Sequence, residues 1–300
     1  MSTSVDEAII QKGAVGPESF HQGCTPGSWV DFWVNFPERF DDDLPRIIIT
    51  PNNLDTGDTY NPAVVGLVRD VSPSGFYISA RSSDCTGGLA GFSWMAVLET
   101  PGRKKIKQMG MMGGVLEPKQ FMPSCINGDW RSWPVAFDDP LSSETPMVFT
   151  SANDIGSTQY TAAAVGMAQN LSPKGFTLAA RNSDCMPGDC SFCWLALSRE
   201  ARHSFSLIDS GWTDFRRFER TCISGDWQSW KITFHQLFPR PPLIFLTGYG
   251  GRSSDELVHF PRIAAVGIAK DVTENGFQLA ARNQDCMEGY AGFYWLAVGQ

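Results

Sequence analysis

The sequence contains no run approaching the roughly 18 consecutive apolar residues that a membrane-spanning helix needs, so membrane insertion is not expected. Basic residues are also in short supply. Lys and Arg number 24 against 32 Asp and Glu, a net charge of −8, which argues against a nucleic-acid backbone or an anionic membrane as the main partner. Long apolar stretches of 3.6-residue period are missing, which argues against a helical architecture. The opening MSTSVDEAIIQKG lacks the basic start, apolar run and small-residue cleavage site of a secretory leader. The expectation is a cytoplasmic chain, one released by a non-classical route, or one whose leader has been removed.

What is present is turn chemistry and aromatic residues. Glycine (29), proline (19) and 12% aromatics are the composition of a β protein with many turns. Self-similarity then divides the chain. GFYISARSSDC (75–85) recurs as GFTLAARNSDC (175–185) and GFQLAARNQDC (276–286), and Trp94, Trp194 and Trp295 each follow the arginine of that motif by thirteen residues. Further upstream, Gly13, Gly114 and Gly211 each precede a cysteine (Cys24, Cys125, Cys222) by eleven, and that cysteine precedes Trp29, Trp130 or Trp227 by five. Three tandem modules result, 1–99, 110–199 and 207–300.

Each module reads as about six short antiparallel strands, a β-sandwich. The first strand is expected to end near the early glycine; IIIT, MVFT and LIFLT form the third strand, and the AVVGLV-type run the fourth. That fourth strand is apolar on both faces: Val64, Gly66 and Val68 point one way, Ala63, Val65 and Leu67 the other. One sandwich core can bury only one face, so the second is expected to pack on a neighbouring module. Three modules doing this around one axis give an intramolecular pseudo-threefold trimer, complete within a monomeric chain.

The order of these motifs resembles the H-type lectins, the snail-agglutinin and discoidin C-terminal-domain type. The resemblance is carried by Pro241-Pro242-Leu-Ile-Phe-Leu-Thr, Val71-Ser-Pro-Ser-Gly-Phe76, Leu171-Ser-Pro-Lys-Gly-Phe176, the tryptophan-led last strands, and the early Ile10-Gln-Lys-Gly13 and Ile208-Asp-Ser-Gly211. It covers nearly all of each module. It implies a six-stranded sandwich, trimeric assembly, and galactose or N-acetylgalactosamine bound at module boundaries. The family's sugar contacts do not carry over: its arginine is Ala63, Ala163 and Ala264 here, and its Trp-His pair aligns with Ser83-Asp84, Ser183-Asp184 and Gln284-Asp285.

A different polar set stands at that rim: Arg81 with Asp84, Arg181 with Asn182 and Asp184, and Arg282 with Asn283 and Asp285, with Tyr60 and Tyr160 on a neighbouring loop as aromatic faces. Such planar hydrogen-bonding groups suit sugar hydroxyls. The alternative is that each Arg–Asp pair braces its own loop.

Cys24 and Cys85, Cys125 and Cys185, and Cys222 and Cys286 recur once per module. One disulfide per module is the economical pairing, closing about sixty residues for about 4 kcal/mol. The missing leader points the other way, since cytosolic thiols stay reduced. Cys190 and Cys193 occur only in the second module, on opposite faces of one strand, and read as core thiols rather than a zinc cluster. The four histidines (His21, His203, His235, His259) do not recur at equivalent positions, and the repeats share only one rim carboxylate, so neither a repeated His site nor a glycosidase pair is expected. The expected function is therefore a multivalent, non-enzymatic lectin binding glycans or glycoconjugates, without cofactor or metal. The alternative is a structural or protein-interaction scaffold that has lost the sugar site.

Overall fold

At Asp70, Asn170 and Asp271 the backbone turns left-handed (φ 48°, 49° and 49°), a conformation that Asp and Asn tolerate better than other side chains. Asp70 and Asn170 sit at register shifts in the strands leading to the SPSG and SPKG turns, and Asp271 stands just past the end of the strand leading to the TENG turn, so the three repeats turn at equivalent places. The computed structural model describes residues 10–20, 29–40, 44–52, 63–82, 87–98, 110–122, 130–138, 140–141, 144–154, 162, 164–182, 187–198, 208–219, 227–250, 263–284 and 288–300.

In the first repeat the strands are β1 (Ile10–Phe20), β2 (Val30–Asn35), β3 (Arg46–Asn52), β4 (Val64–Ser72), β5 (Gly75–Ser82) and β6 (Gly88–Val97). The second has β7 (Met111–Val115), β8 (Lys119–Phe121), β9 (Trp130–Ala136), β10 (Met147–Asn153), β11 (Ala164–Ser172), β12 (Gly175–Asn182) and β13 (Gly188–Leu197). The third has β14 (Ile208–Trp212), β15 (Arg216–Phe218), β16 (Trp227–Thr233), β17 (Leu243–Tyr249), β18 (Ala265–Lys270), β19 (Gly276–Asn283) and β20 (Gly289–Val298). The described residues contain strands and no helix, hence no helix long and apolar enough to cross a membrane.

The first strand ends where expected in the second and third repeats, one residue past Gly114 and Gly211, and differs from its expectation in the first. There it runs past Gly13 to Phe20, and in the other repeats it is split into β7 with β8 and β14 with β15. In all three repeats the early glycine is a packing site: a Cβ built on Gly13, Gly114 or Gly211 would stand 2.8, 2.5 or 2.7 Å from the ring of Trp94, Trp194 or Trp295. Those tryptophans lie in the inward-facing row of the last strand and are buried in their sandwich cores, as are Phe92, Phe192 and Phe293.

Every sheet is shared between two repeats. The orders are β1-β6-β3-β18-β19-β16, β2-β5-β4-β10-β13-β7 and β14-β20-β17-β11-β12-β9. Pairing is antiparallel within a repeat and parallel at each seam, where Ala152 meets Leu67, Met167 meets Gly248 and Ala269 meets Asn52. First joins second, second joins third and third joins first, so the ring closes as a pseudo-threefold assembly within one chain.

The doubly apolar strand explains the closure. On β4, Val64 and Val68 lie in the first repeat's core, while Leu67 lies in the second repeat's core and Val65 clusters with Val165 and Val266. A further core gathers Ile48, Phe149 and Phe245 with Met95, Leu195 and Leu296, two residues from each repeat. Fully burying side chains of this size stabilises by about 1.5–3 kcal/mol each, and here that term belongs to the assembly rather than to any single repeat.

Candidate functional site

The strand named by the GF motif fixes where the candidate arginines lie. Alternation along β5 puts Phe76, Ile78 and Ala80 into the sandwich core and Ser79 and Arg81 on the opposite face. Arg81 is directly opposite Val65, Arg181 opposite Val165 and Trp130, and Arg282 opposite Val266 and Trp227. Since the three valines converge, the three arginines surround them at equivalent positions. The valines, with Phe92, Phe192 and Phe293, line a cavity of about 90 Å³.

The arginines are not displayed on an open rim. Arg81, Arg181 and Arg282 are 6%, 3% and 4% exposed, because the face that one sandwich leaves uncovered is closed by its neighbours. A buried guanidinium must be paired to be tolerated, and none of the three is without a partner. The Arg81 guanidinium also lies 5.8 Å from the centre of the Trp29 ring, a cation–π contact. Trp29 has the role of an arginine platform, which its spacing from Cys24 alone did not reveal.

Asn182 and Asn283 occupy matching positions beside these arginines and are equally buried. The Asn182 side-chain amide donates to the Met122 carbonyl at 3.2 Å, and that of Asn283 donates to the Glu219 carbonyl at 3.2 Å. Both tie the end of the GF strand to the segment that precedes the Cys-x4-Trp motif. Thus the structure brings Arg81, Arg181, Arg282, Asn182 and Asn283 to three equivalent boundary positions, and it buries them there. Asp84, Asp184, Asp285, Tyr60 and Tyr160 lie outside the described residues, as do Cys24, Cys85, Cys125, Cys185, Cys222 and Cys286.

The two remaining cysteines are separated by the sheet. Cys190 packs in the second repeat's core and Cys193 in the shared central core, each as a free thiol. Burial pushes their pKa values up to about 12 and about 11, so neither is poised as a thiolate ligand or nucleophile. Among the described residues no three His, Cys, Asp or Glu side chains form a metal-holding group.

No family model, curated protein or solved structure matches this chain.

Proposed function

We propose that the protein is a multivalent, non-enzymatic carbohydrate-binding protein, with up to three sites at the boundaries between repeats and galactose- or N-acetylgalactosamine-type glycans as the class implied by its resemblance to H-type lectins. The observation that supports this most is the closed ring of shared sheets, which sets the ends of β5, β12 and β19 at three equivalent inter-repeat positions. Individually weak sugar contacts gain from such rigid repetition, by roughly 10² or more in avidity on a clustered glycan surface.

A second reading has its own support. The amide bonds from Asn182 to Met122 and from Asn283 to Glu219 brace the strand ends, as a scaffold that has lost its sugar site would. A glycan array with the purified chain separates the two. The lectin reading expects binding to terminal galactose or N-acetylgalactosamine that weakens in Asp184→Ala. No binding at high protein concentration, together with no effect of Asp184→Ala, would leave the scaffold.

A further inference from the structure

One repeat carries on its outer sheet surface something the other two lack. Along β2 the side chains of Phe32, Val34 and Phe36 are buried while those of Asp31, Trp33 and Asn35 face outward. Trp33 is directly opposite Tyr77 on β5, and Tyr77 is directly opposite Arg69 on β4. The three form a straight row across three strands, two strand spacings or about 10 Å long.

Its members are held in place. The Trp33 and Tyr77 ring centres are 4.8 Å apart with planes inclined at 59°. The indole N–H of Trp33 donates to Asn35 Oδ1 at 2.9 Å, and its ring stands over Gly75, where an added Cβ would be 2.9 Å from Cζ2. Arg69 donates through Nη1 to Ser79 Oγ at 3.3 Å and through Nε to Asp154 Oδ2 at 3.4 Å, while the Ser79 hydroxyl donates to the Asp31 carboxylate. Yet the aromatic pair remains 41% and 39% exposed.

The fold does not require these aromatics. The same register positions hold Pro134 and Thr177 in the second repeat and Lys231 and Gln278 in the third. Fixed, exposed rings beside a carboxylate, an amide and a guanidinium match the two sides of a pyranose: apolar C–H groups on its face and hydroxyls around its edge. Asp31 and Asp154 outnumber Arg69, so the local charge disfavours an acidic sugar.

We propose that Trp33, Tyr77 and Arg69, with Asp31 and Asn35, form a binding platform for one or two neutral pyranose units of a glycan, present in the first repeat only. This site is separate from the boundary positions and does not depend on their binding sugar.

The test uses the full chain labelled with 5-fluorotryptophan, its Trp33 fluorine resonance assigned by its loss in Trp33→Lys. Lactose, diacetylchitobiose and mannobiose are titrated as neutral probes, sialyllactose as an acidic one and a polyproline peptide as a non-sugar ligand for aromatic faces. The expected result is a saturable shift of the Trp33 resonance by at least one neutral disaccharide, weakened about tenfold in Tyr77→Gln, the scale of one aromatic contact. Trp33→Lys and Tyr77→Gln install side chains that the third repeat already carries in register, and unchanged thermal melting verifies that the fold persists. The proposal is overturned if no neutral sugar moves the Trp33 resonance, if only the peptide does, or if Tyr77→Gln leaves the titration unchanged. Sugars that shift other tryptophans but not Trp33 would overturn this platform while leaving the boundary sites standing, and the reverse pattern would do the opposite.

Discussion

The hydroxyl of Ser151 accepts the backbone N–H of Ile49 at 2.7 Å, joining residues 102 positions apart in different repeats. Thr247 accepts the N–H of Thr150 at 3.0 Å and Thr50 accepts that of Leu246 at 2.9 Å, which completes a cycle of second to first, third to second and first to third. All three hydroxyls belong to buried residues, so each satisfies an amide that has no access to water.

Removing one acceptor from this cycle leaves a buried N–H unsatisfied, at a cost of about 1–3 kcal/mol. Ser151→Ala and Thr247→Val should each lower stability by that amount in urea unfolding. A single transition is expected to persist, because each amide and its acceptor come from different repeats. A separate early transition for one repeat would contradict the cycle's role.

Substitution of the early glycine tests the tryptophan contact. Gly114→Ala places a Cβ 2.5 Å from Trp194 Nε1, and the strain of overpacking should destabilise by about 1–3 kcal/mol. Gly248→Ala is the contrasting case, since the nearest neighbour of the added Cβ, the Ala265 carbonyl oxygen, would be 3.8 Å away. There the loss of chain freedom in the unfolded state should give no loss of stability, or a gain of up to about 1 kcal/mol. Thermal melting of the pair provides the comparison.

Asp154 gives the seam between first and second repeats a pH dependence. Burial and the nearby Asp70 carboxylate raise its pKa, outweighing the lowering by Arg69 3.4 Å away. Its folded pKa exceeds its unfolded one, so the associated stability is present below the ordinary carboxylate pKa and is lost as pH rises through the raised value. Asp154→Asn should therefore be more stable than the wild type at neutral pH, with the difference vanishing in acid. Stability curves for both chains across that range check the sign.

Cys190 and Cys193, with pKa values pushed up to about 12 and about 11 by burial, should resist iodoacetamide in the native protein at mildly alkaline pH. Peptide mass mapping before and after denaturant should find both labelled only after unfolding. Labelling of either in the native state would show that the core around it opens locally.

Much of the fold was legible because alternation and repetition report directly on strands. The two-faced fourth strand was the decisive signal: Leu67 is buried in the neighbouring repeat's core, as apolarity on both faces demanded. The length of β1 was not legible, since Gly13 looks like a break until the Trp94 ring is seen to fill its space. Arg81 was expected at a rim, but that strand end is a buried boundary once the repeats close on one another. Trp33 and Tyr77 stayed hidden for the opposite reason. Matching the copies to one another highlights what they share, and this pair occurs once.

The sharing of every sheet by two repeats also frees the molecule's geometry from dilution. Three separate chains meeting along such edges would come apart as their concentration fell, whereas tethered repeats keep one another at a fixed effective concentration. The distances among the ends of β5, β12 and β19 are therefore a property of the single chain, the same in a dilute solution as in a crowded one.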